Sequence, residues 1–217
     1  MSTQNIEKNK INGFWKKYDD KNIKKESQLE IYTKNDASED ILRFVKLGGG
    51  PALGSISEQY AKHTFSDLKE RLKGETSHDH TIEIDGKIIK IEQKTSTLNK
   101  KRDFMWQHVA EKHPWDILLL MGVHYKEIVF YGCNKEIFGE LVNQGKITNQ
   151  GSKNKDSEQG LWFNFSNVKD DLIKINTNED IKKLLLVNNK QLEKQITKKI
   201  RKSSNINMKK ELDELEN

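Results

Sequence analysis

The spacing of apolar residues predicts several short helices and strands between two polar ends of the chain. Apolar residues recur at helical spacing over 36–47, with Asp36 and Ser38 as candidate N-caps. They recur in the same way over 55–74, where Gly74 would end the helix. Two helices are therefore expected before residue 75, separated by the glycine- and proline-containing break at 48–55.

Beyond residue 74 the pattern changes to runs and alternations that are typical of strands. Strand patterns occupy 81–84, 87–94, 114–125, 127–134 and 161–168. Helical patterns occupy 102–112, 135–146 and 178–188. This order of elements predicts an α/β fold with a mixed central β-sheet flanked by helices.

The distribution of polar residues predicts one folded domain with polar extensions. Of the 217 residues, 34% are hydrophobic and 33% charged, so a core is expected along only part of the length. We expect a single domain over 1–188, with an N-terminal arm over about 1–35 and a core over about 36–188. Residues 189–217 are almost all charged or amide-bearing and predict a tail or a solvated helix.

Charge and cysteine content narrow the class of protein. The formal net charge of +5 permits an anionic partner such as nucleic acid, although the excess is small. Cys133 is the single cysteine, which excludes an intramolecular disulfide and a cysteine-rich zinc site. No apolar run reaches the length of a membrane span, and the first residues lack the apolar segment of a secretory signal. We therefore expect a soluble, cytoplasmic protein without a membrane partner.

The segment "SHDHTIEIDGKIIKIEQKTS", residues 77–96, predicts a β-hairpin. Asp85-Gly86 between two β-prone runs is a strong signal for a two-residue turn. In the resulting register Asp79 faces Glu92. Lys94 lies two residues after Glu92 and points the same way.

The two faces of this hairpin differ in chemistry. Four isoleucines share the face assigned to the core: Ile82, Ile84, Ile89 and Ile91. Asp79, Glu83, Glu92 and Lys94 share the other. Like charges directly opposite each other are destabilising, and a hard divalent cation between Asp79 and Glu92 would remove that repulsion. A solvated charged surface is the alternative interpretation.

Asp79 followed by Glu92-Gln93-Lys94 resembles the PD-(D/E)XK nuclease motif, in which an acid on one strand is followed by acid-x-lysine on its neighbour. The helix over 55–74 supplies Glu58 at the place of the acid-bearing helix that precedes the hairpin in that superfamily. His78 stands where the motif has proline.

The segment "WQHVAEKHPWDILLLMGV" also looks like the one that follows the active-site lysine in type II restriction endonucleases. The similarity runs over about 48–134. It implies a restriction-endonuclease-like core and Mg²⁺-dependent hydrolysis of double-stranded DNA at specific sequences. The resemblance also implies a homodimer and a place in a restriction-modification system.

The resemblance assigns roles to individual residues. Asp79 and Glu92, with the backbone carbonyl of Gln93, would hold Mg²⁺, and Lys94 would orient or activate the attacking water. Glu58 would help with a second metal, and Gln107, on the helix predicted over 102–112, would lie near the metal. A solvated helix acid is the alternative interpretation of Glu58.

A polar segment over 145–160 is the candidate DNA-binding loop. Lysine contacts phosphates, and asparagine or glutamine pairs with adenine edges. Its candidate residues are Lys146, Asn149, Gln150, Lys153, Asn154 and Lys155. A surface loop without function is the alternative interpretation.

Two other functions remain open from the sequence. One is a PD-(D/E)XK DNA nuclease of repair, recombination or a mobile element. The other is a non-catalytic DNA-binding protein with an acidic hairpin.

Overall fold

The computed structural model describes residues 27–48, 50–71, 73–149 and 160–186. The helices in these ranges are α1 (Gln28–Lys34), α2 (Glu39–Lys46), α3 (Pro51–Thr64), α4 (Lys135–Asn143), α5 (Phe165–Val168) and α6 (Asn178–Lys183). The strands are β1 (Lys69–Glu70), β2 (His80–Ile84), β3 (Lys87–Thr97), β4 (Met105–Val109), β5 (Ile117–Val123), β6 (Ile128–Asn134), β7 (Thr148–Asn149), β8 (Leu161–Asn164) and β9 (Ile173–Ile175).

A six-stranded mixed sheet forms the centre of the protein, with strand order β1-β2-β3-β5-β6-β9. Strands β3 and β5 are parallel, and all other neighbours are antiparallel. Every residue of β5 is buried, as expected for a central strand covered on both faces. The predicted α/β fold with a mixed central sheet and flanking helices is confirmed.

The segment 102–112, predicted as a helix, instead contains strand β4. It pairs with β8 in a second, three-stranded sheet of order β4-β8-β7. His108 has φ 58°, a left-handed conformation that does not continue a right-handed helix. Phe104 lies over Gly122, where an added Cβ would be 2.7 Å from the ring. Tertiary contacts of this kind, which sequence periodicity does not report, decide the conformation of the segment.

Helix α3 is displaced relative to the predicted helix over 55–74. It begins at Pro51, which suits the first helical turn, and ends at Thr64 rather than at Gly74. Phe65 is extended and buried, so the chain leaves the helix and packs its next apolar residues into the core. The following residues form edge strand β1.

Part of the predicted N-terminal arm is folded onto the core. Ser27 caps α1 through a capping box with Glu30. Tyr32 is fully buried; its hydroxyl donates to the Val123 carbonyl and accepts from the Leu98 N–H at 2.8 Å. Residues 1–26 lie outside the described part of the chain.

Most of the other predicted elements are present near their predicted positions. Strands β5 and β6 and helix α4 fall within the predicted segments, and α6 begins at the predicted residue 178. The predicted strand over 161–168 ends at Asn164, where helix α5 follows. The predicted tail over 189–217 lies outside the described residues, in which no helix is long and apolar enough to cross a membrane.

Candidate active site

The β2–β3 hairpin has the register that its sequence predicts. The predicted cross-strand pairs are present: Ile84–Lys87, Ile82–Ile89 and His80–Ile91. The turn residues Asp85 and Gly86 both have positive φ, as a two-residue hairpin turn requires. The core face is therefore fixed, and the charged residues are directed to the opposite face.

Asp79 precedes the first residue of β2 and binds β3 at two points. Its backbone N–H donates to the Ile91 carbonyl at 3.0 Å, and its carboxylate Oδ2 accepts from the Gln93 N–H at 2.8 Å. The regular pairing of β2 with β3 ends at His80, so Asp79 does not form a regular pair with Glu92. Its two hydrogen bonds instead go to the residues on either side of Glu92. These two contacts hold the Asp79 carboxylate beside the motif Glu92-Gln93-Lys94.

Glu92 and Lys94 form an ion pair next to Asp79. The Lys94 Nζ lies 2.7 Å from the Glu92 Oε1, and the Glu92 side chain is only 9% exposed. Burial raises the pKa of Glu92, and the nearby Asp79 carboxylate raises it further, whereas Lys94 opposes the shift. Glu92 is therefore a buried carboxylate whose negative charge is only partly compensated.

Glu58 reaches the same group of charges from helix α3. Burial raises its pKa, and the Asp79 carboxylate is the next largest cause, with a smaller contribution from Glu92. Glu58 and Asp79 also line one common cavity. Glu58 therefore reaches the cavity beside Asp79 from its helix, as predicted.

Arg71 is a neighbour of the site that the sequence pattern did not indicate. Its Nη1 donates to the His78 carbonyl at 3.2 Å and lies 3.9 Å from Asp79 Oδ1. The sequence pattern placed residue 71 inside a long helix, whereas the chain is non-helical there and turns toward β2. The one sequence feature that could have indicated Arg71 is that it is a basic residue shortly before Asp79, a predicted site acid.

Side chains on the opposite face of β3, which is directed to the core, hold the backbone of the site in place. His80 Nε2 and Gln93 Oε1 lie 2.7 Å apart in the core, and both side chains are buried. Burial lowers the pKa of His80, which favours the neutral imidazole. The buried contact fixes Gln93, whose backbone N–H in turn binds Asp79. His80 is thus a core residue directed away from the acidic face, as the alternation predicts.

A cavity of about 530 Å³ joins these residues to other parts of the chain. Glu58, Asp79 and Lys94 line it together with Gln107 and His108 from β4. Gln107 thus reaches the predicted cavity, although it does so from a strand and not from the predicted helix. Its neighbour His108 packs edge to face on Trp162, with ring centroids 5.3 Å apart.

The candidate DNA-binding loop lies largely outside the described residues. Lys146 forms an ion pair of 2.6 Å with Asp171, so in this conformation its ammonium group is occupied within the protein. Asn149 belongs to β7 and pairs with Leu161 of β8. The remaining candidates, Gln150, Lys153, Asn154 and Lys155, fall in the part that is not described.

The donor atoms near Asp79 suit a hard cation such as Mg²⁺. In the described ranges, no group of three or more His, Cys, Asp or Glu side chains is arranged to hold a metal ion. Mg²⁺, however, is commonly bound by one or two carboxylates, with water and substrate phosphates completing the octahedron. Asp79 and Glu92 supply two carboxylates. The Gln93 carbonyl is directed to the same side as its N–H, which donates to Asp79.

Comparison with protein-family models, with curated proteins and with solved structures found no match to this chain.

Proposed function

We propose that the protein is a Mg²⁺-dependent endonuclease that hydrolyses phosphodiester bonds of double-stranded DNA at specific sequences, in the manner of a type II restriction enzyme. The observation that supports this proposal is the attachment of Asp79 to β3. Its two hydrogen bonds to β3 bracket Glu92, and Lys94 follows on the same strand. Asp79, just before β2, and Lys94, on β3, thus line one cavity, and Glu92 is paired with Lys94 beside it.

Asp79, Glu92 and the Gln93 carbonyl would hold Mg²⁺, which supplies a water of lowered pKa and stabilises charge on the phosphate. The raised pKa of Glu92 and of Glu58 supports this assignment. Carboxyl groups that are buried together without enough positive charge gain most from a bound cation.

Lys94 has the role of positioning the nucleophile. Its side chain is 25% exposed and lines the cavity, and its ammonium group is held by Glu92. From there it would orient the attacking water and stabilise the negative charge that develops on the phosphate oxygens. In the reaction the water oxygen bonds to phosphorus, and the bond from phosphorus to the departing sugar oxygen breaks.

Cleavage of both strands requires a second site, and we infer a homodimer in which each protomer cuts one strand. This inference rests on the class of enzyme alone. A monomer that only nicks duplex DNA would contradict it.

Incubation of the purified protein with plasmid DNA and Mg²⁺ tests the proposal. Discrete fragments support a restriction enzyme, whereas smears or cutting confined to branched substrates support a nuclease of repair or recombination. A folded protein that does not cut supports a non-catalytic DNA-binding protein.

The variant Lys94→Ala is expected to lose cleavage while remaining folded by circular dichroism. Lys87→Ala is the matched control, because Lys87 is an exposed lysine at the other end of the same strand. Wild-type cleavage by Lys94→Ala would contradict the mechanism.

A further inference from the structure

Of the glutamine and asparagine residues that line the cavity, two have side-chain amides whose orientations are fixed by hydrogen bonds to the backbone. They belong to Gln28, the first residue of α1, and to Asn99, just after the end of β3. Neither residue carries charge, so neither contributes the sequence-independent attraction that a lysine provides. Their geometry instead suits recognition of a polar, neutral group.

The nitrogen end of the Gln28 amide is bound to the chain that follows β3. Its Nε2 donates to Thr97 Oγ1 at 2.5 Å and to the Leu98 carbonyl at 2.8 Å. The carbonyl oxygen of Leu98 can only accept, so the nitrogen of the amide must be the atom at this contact. The Oε1 acceptor is the end that remains for a ligand.

The Asn99 amide is fixed in the opposite sense. Its Oδ1 accepts from the Lys101 N–H at 2.8 Å and from the Asp103 N–H at 3.2 Å. Two backbone N–H donors can bind only the oxygen, which identifies the two ends of this amide. The Nδ2 donor is the end that remains.

Among the described residues, no hydrogen bond occupies Gln28 Oε1 or Asn99 Nδ2. The two side chains are also neighbours, because Gln28 binds the backbone of the residue that precedes Asn99. Both residues line the same cavity, whose wall therefore offers one acceptor and one donor. A ligand that matches them must carry a donor and an acceptor side by side.

We propose that Gln28 and Asn99 form a nucleobase subsite that recognises adenine in the major groove. Adenine presents the N6 amino donor next to the N7 acceptor. Of the four bases taken singly, only adenine carries both groups, because guanine presents two acceptors there, cytosine a donor alone, and thymine an acceptor with a methyl group. The subsite therefore selects adenine when both amides contact the same base. The subsite deepens the proposed function, on which it rests, because it assigns sequence recognition to residues outside the 145–160 segment.

The spacing of Asn99 and Lys94 along the chain limits the distance between the subsite and the bond that is cut. Asn99 lies five residues after Lys94, and a strand rises about 3.3 Å per residue, so the two Cα atoms are about 16 Å apart at most. One strand of B-DNA rises about 3.4 Å per nucleotide, so the recognised adenine lies within about five nucleotides of the cut.

A binding selection tests the subsite without depending on cleavage. Random-sequence DNA duplexes are bound by the Lys94→Ala protein in Mg²⁺, and the retained duplexes are sequenced. We expect one position at which adenine is enriched. In Lys94→Ala/Asn99→Asp, that enrichment should fall by about fivefold or more, because a bidentate base contact discriminates by at least about that factor and the variant replaces its donor with an acceptor.

Asn99→Asp preserves the Oδ1 acceptor that binds the turn and replaces the Nδ2 donor with a second acceptor. The added negative charge weakens binding to all sequences alike, so the enrichment ratio is the quantity compared. The matched control is Asn178→Asp, because Asn178 binds Ser66 and Asp67 away from the cavity. It should leave the enrichment unchanged.

The subsite is wrong, even if the protein cuts DNA, if the selection shows no adenine enrichment. It is also wrong if Lys94→Ala/Asn99→Asp shows the same enrichment as Lys94→Ala. Enrichment that Asn99→Asp abolishes supports the subsite. If the wild-type protein shows that enrichment and cuts no DNA, the subsite stands and the proposed nuclease activity fails.

Discussion

The two faces of the β2–β3 hairpin are encoded by the same alternation, yet they contribute opposite terms to stability. On the core face, the side chains of Ile82 and Ile91 are 1% and 0% exposed and belong to the hydrophobic core. On the site face Asp79 and Glu92 are acids held close together with incomplete compensation. One face stabilises the fold by burying apolar surface. The other face destabilises it, because charged groups are buried there with incomplete compensation.

This difference indicates how the site is maintained. The apolar face fixes the register, and the register places the acids where they repel each other. Mutations on the two faces should therefore separate stability from activity.

The largest effect is expected for Ile91→Ala, which removes a fully buried side chain of the core face. We expect the free energy of unfolding to fall by about 2–5 kcal/mol, because both the apolar contacts and the packing are lost. Urea denaturation followed by circular dichroism measures this change. The control is Ile88→Ala on the same strand, where Ile88 is 61% exposed and the change should stay within about 0.5 kcal/mol. Equal losses for both variants would show that the assignment of faces is wrong.

Asp79→Asn tests the opposite face. DNA cleavage should fall by about a hundredfold or more, because Asp79 is a proposed ligand of the Mg²⁺ that would stabilise the transition-state charge. The unfolding free energy of the metal-free protein should rise, because a negative charge near Glu58 and Glu92 is removed. Cleavage rates and urea denaturation in EDTA measure the two quantities.

Asp85→Asn is the control for that variant, since Asp85 lies in the turn at the other end of β2 with φ 51°, which asparagine tolerates. It should change neither quantity. Loss of stability in Asp79→Asn would show that the carboxylate is a structural ligand of β3 and not a charge held at a cost.

The pH dependence of stability gives a smaller effect with a defined sign. A carboxyl group whose pKa is raised on folding binds its proton more tightly in the folded state, as burial makes Glu92 and Glu58 do. Their contribution favours the folded state near pH 4.5 and below, and it is lost as pH rises from 4.5 through the raised pKa values. The metal-free protein should therefore lose stability over this interval.

Glu92→Gln should reduce that loss, because the amide does not ionise. Urea denaturation at several pH values in EDTA measures the slope for both proteins. The control is Glu83→Gln, since Glu83 is an exposed acid of the same hairpin with only a 3.8 Å ion pair to Lys69. A slope in Glu92→Gln as steep as in the wild type would show that Glu92 is not responsible.

The sequence was sufficient for the hairpin because two independent signals agree there. Asp85-Gly86 defines the turn, and the isoleucines define the buried face, so the register follows without further information. Strands β5 and β6 were also predictable, because their apolar runs are long enough to mark a buried central pair. The position of Lys94 on the same side as Glu92 follows from the two-residue period of the strand.

Segments whose conformation depends on distant partners were not predictable. The sequence 102–112 has helical spacing, but Trp106 is buried through a hydrogen bond of 3.1 Å from its Nε1 to the Met121 carbonyl. Local periodicity contains no information on that partner. The prediction of a helix over 55–74 was wrong for the same reason, because burial of Phe65 ends the helix early. Arg71 was missed as a consequence.

Arg71→Ala is expected to have the smallest effect and distinguishes a tuning residue from a catalytic one. Arg71 is 45% exposed and lies 3.9 Å from Asp79, so its removal should lower cleavage by less than about tenfold, as for a partly exposed ion pair. The Arg71 guanidinium also opposes the rise in the pKa of Glu58, so that pKa should rise further in the variant. The pH profile of cleavage should accordingly move to higher pH.

Arg71→Lys keeps the charge and should restore most of the rate and the profile. A loss as large as that of Lys94→Ala, without rescue by lysine, would instead show that the guanidinium contacts the reacting phosphate, and the charged face would then extend beyond the hairpin to the chain that precedes it.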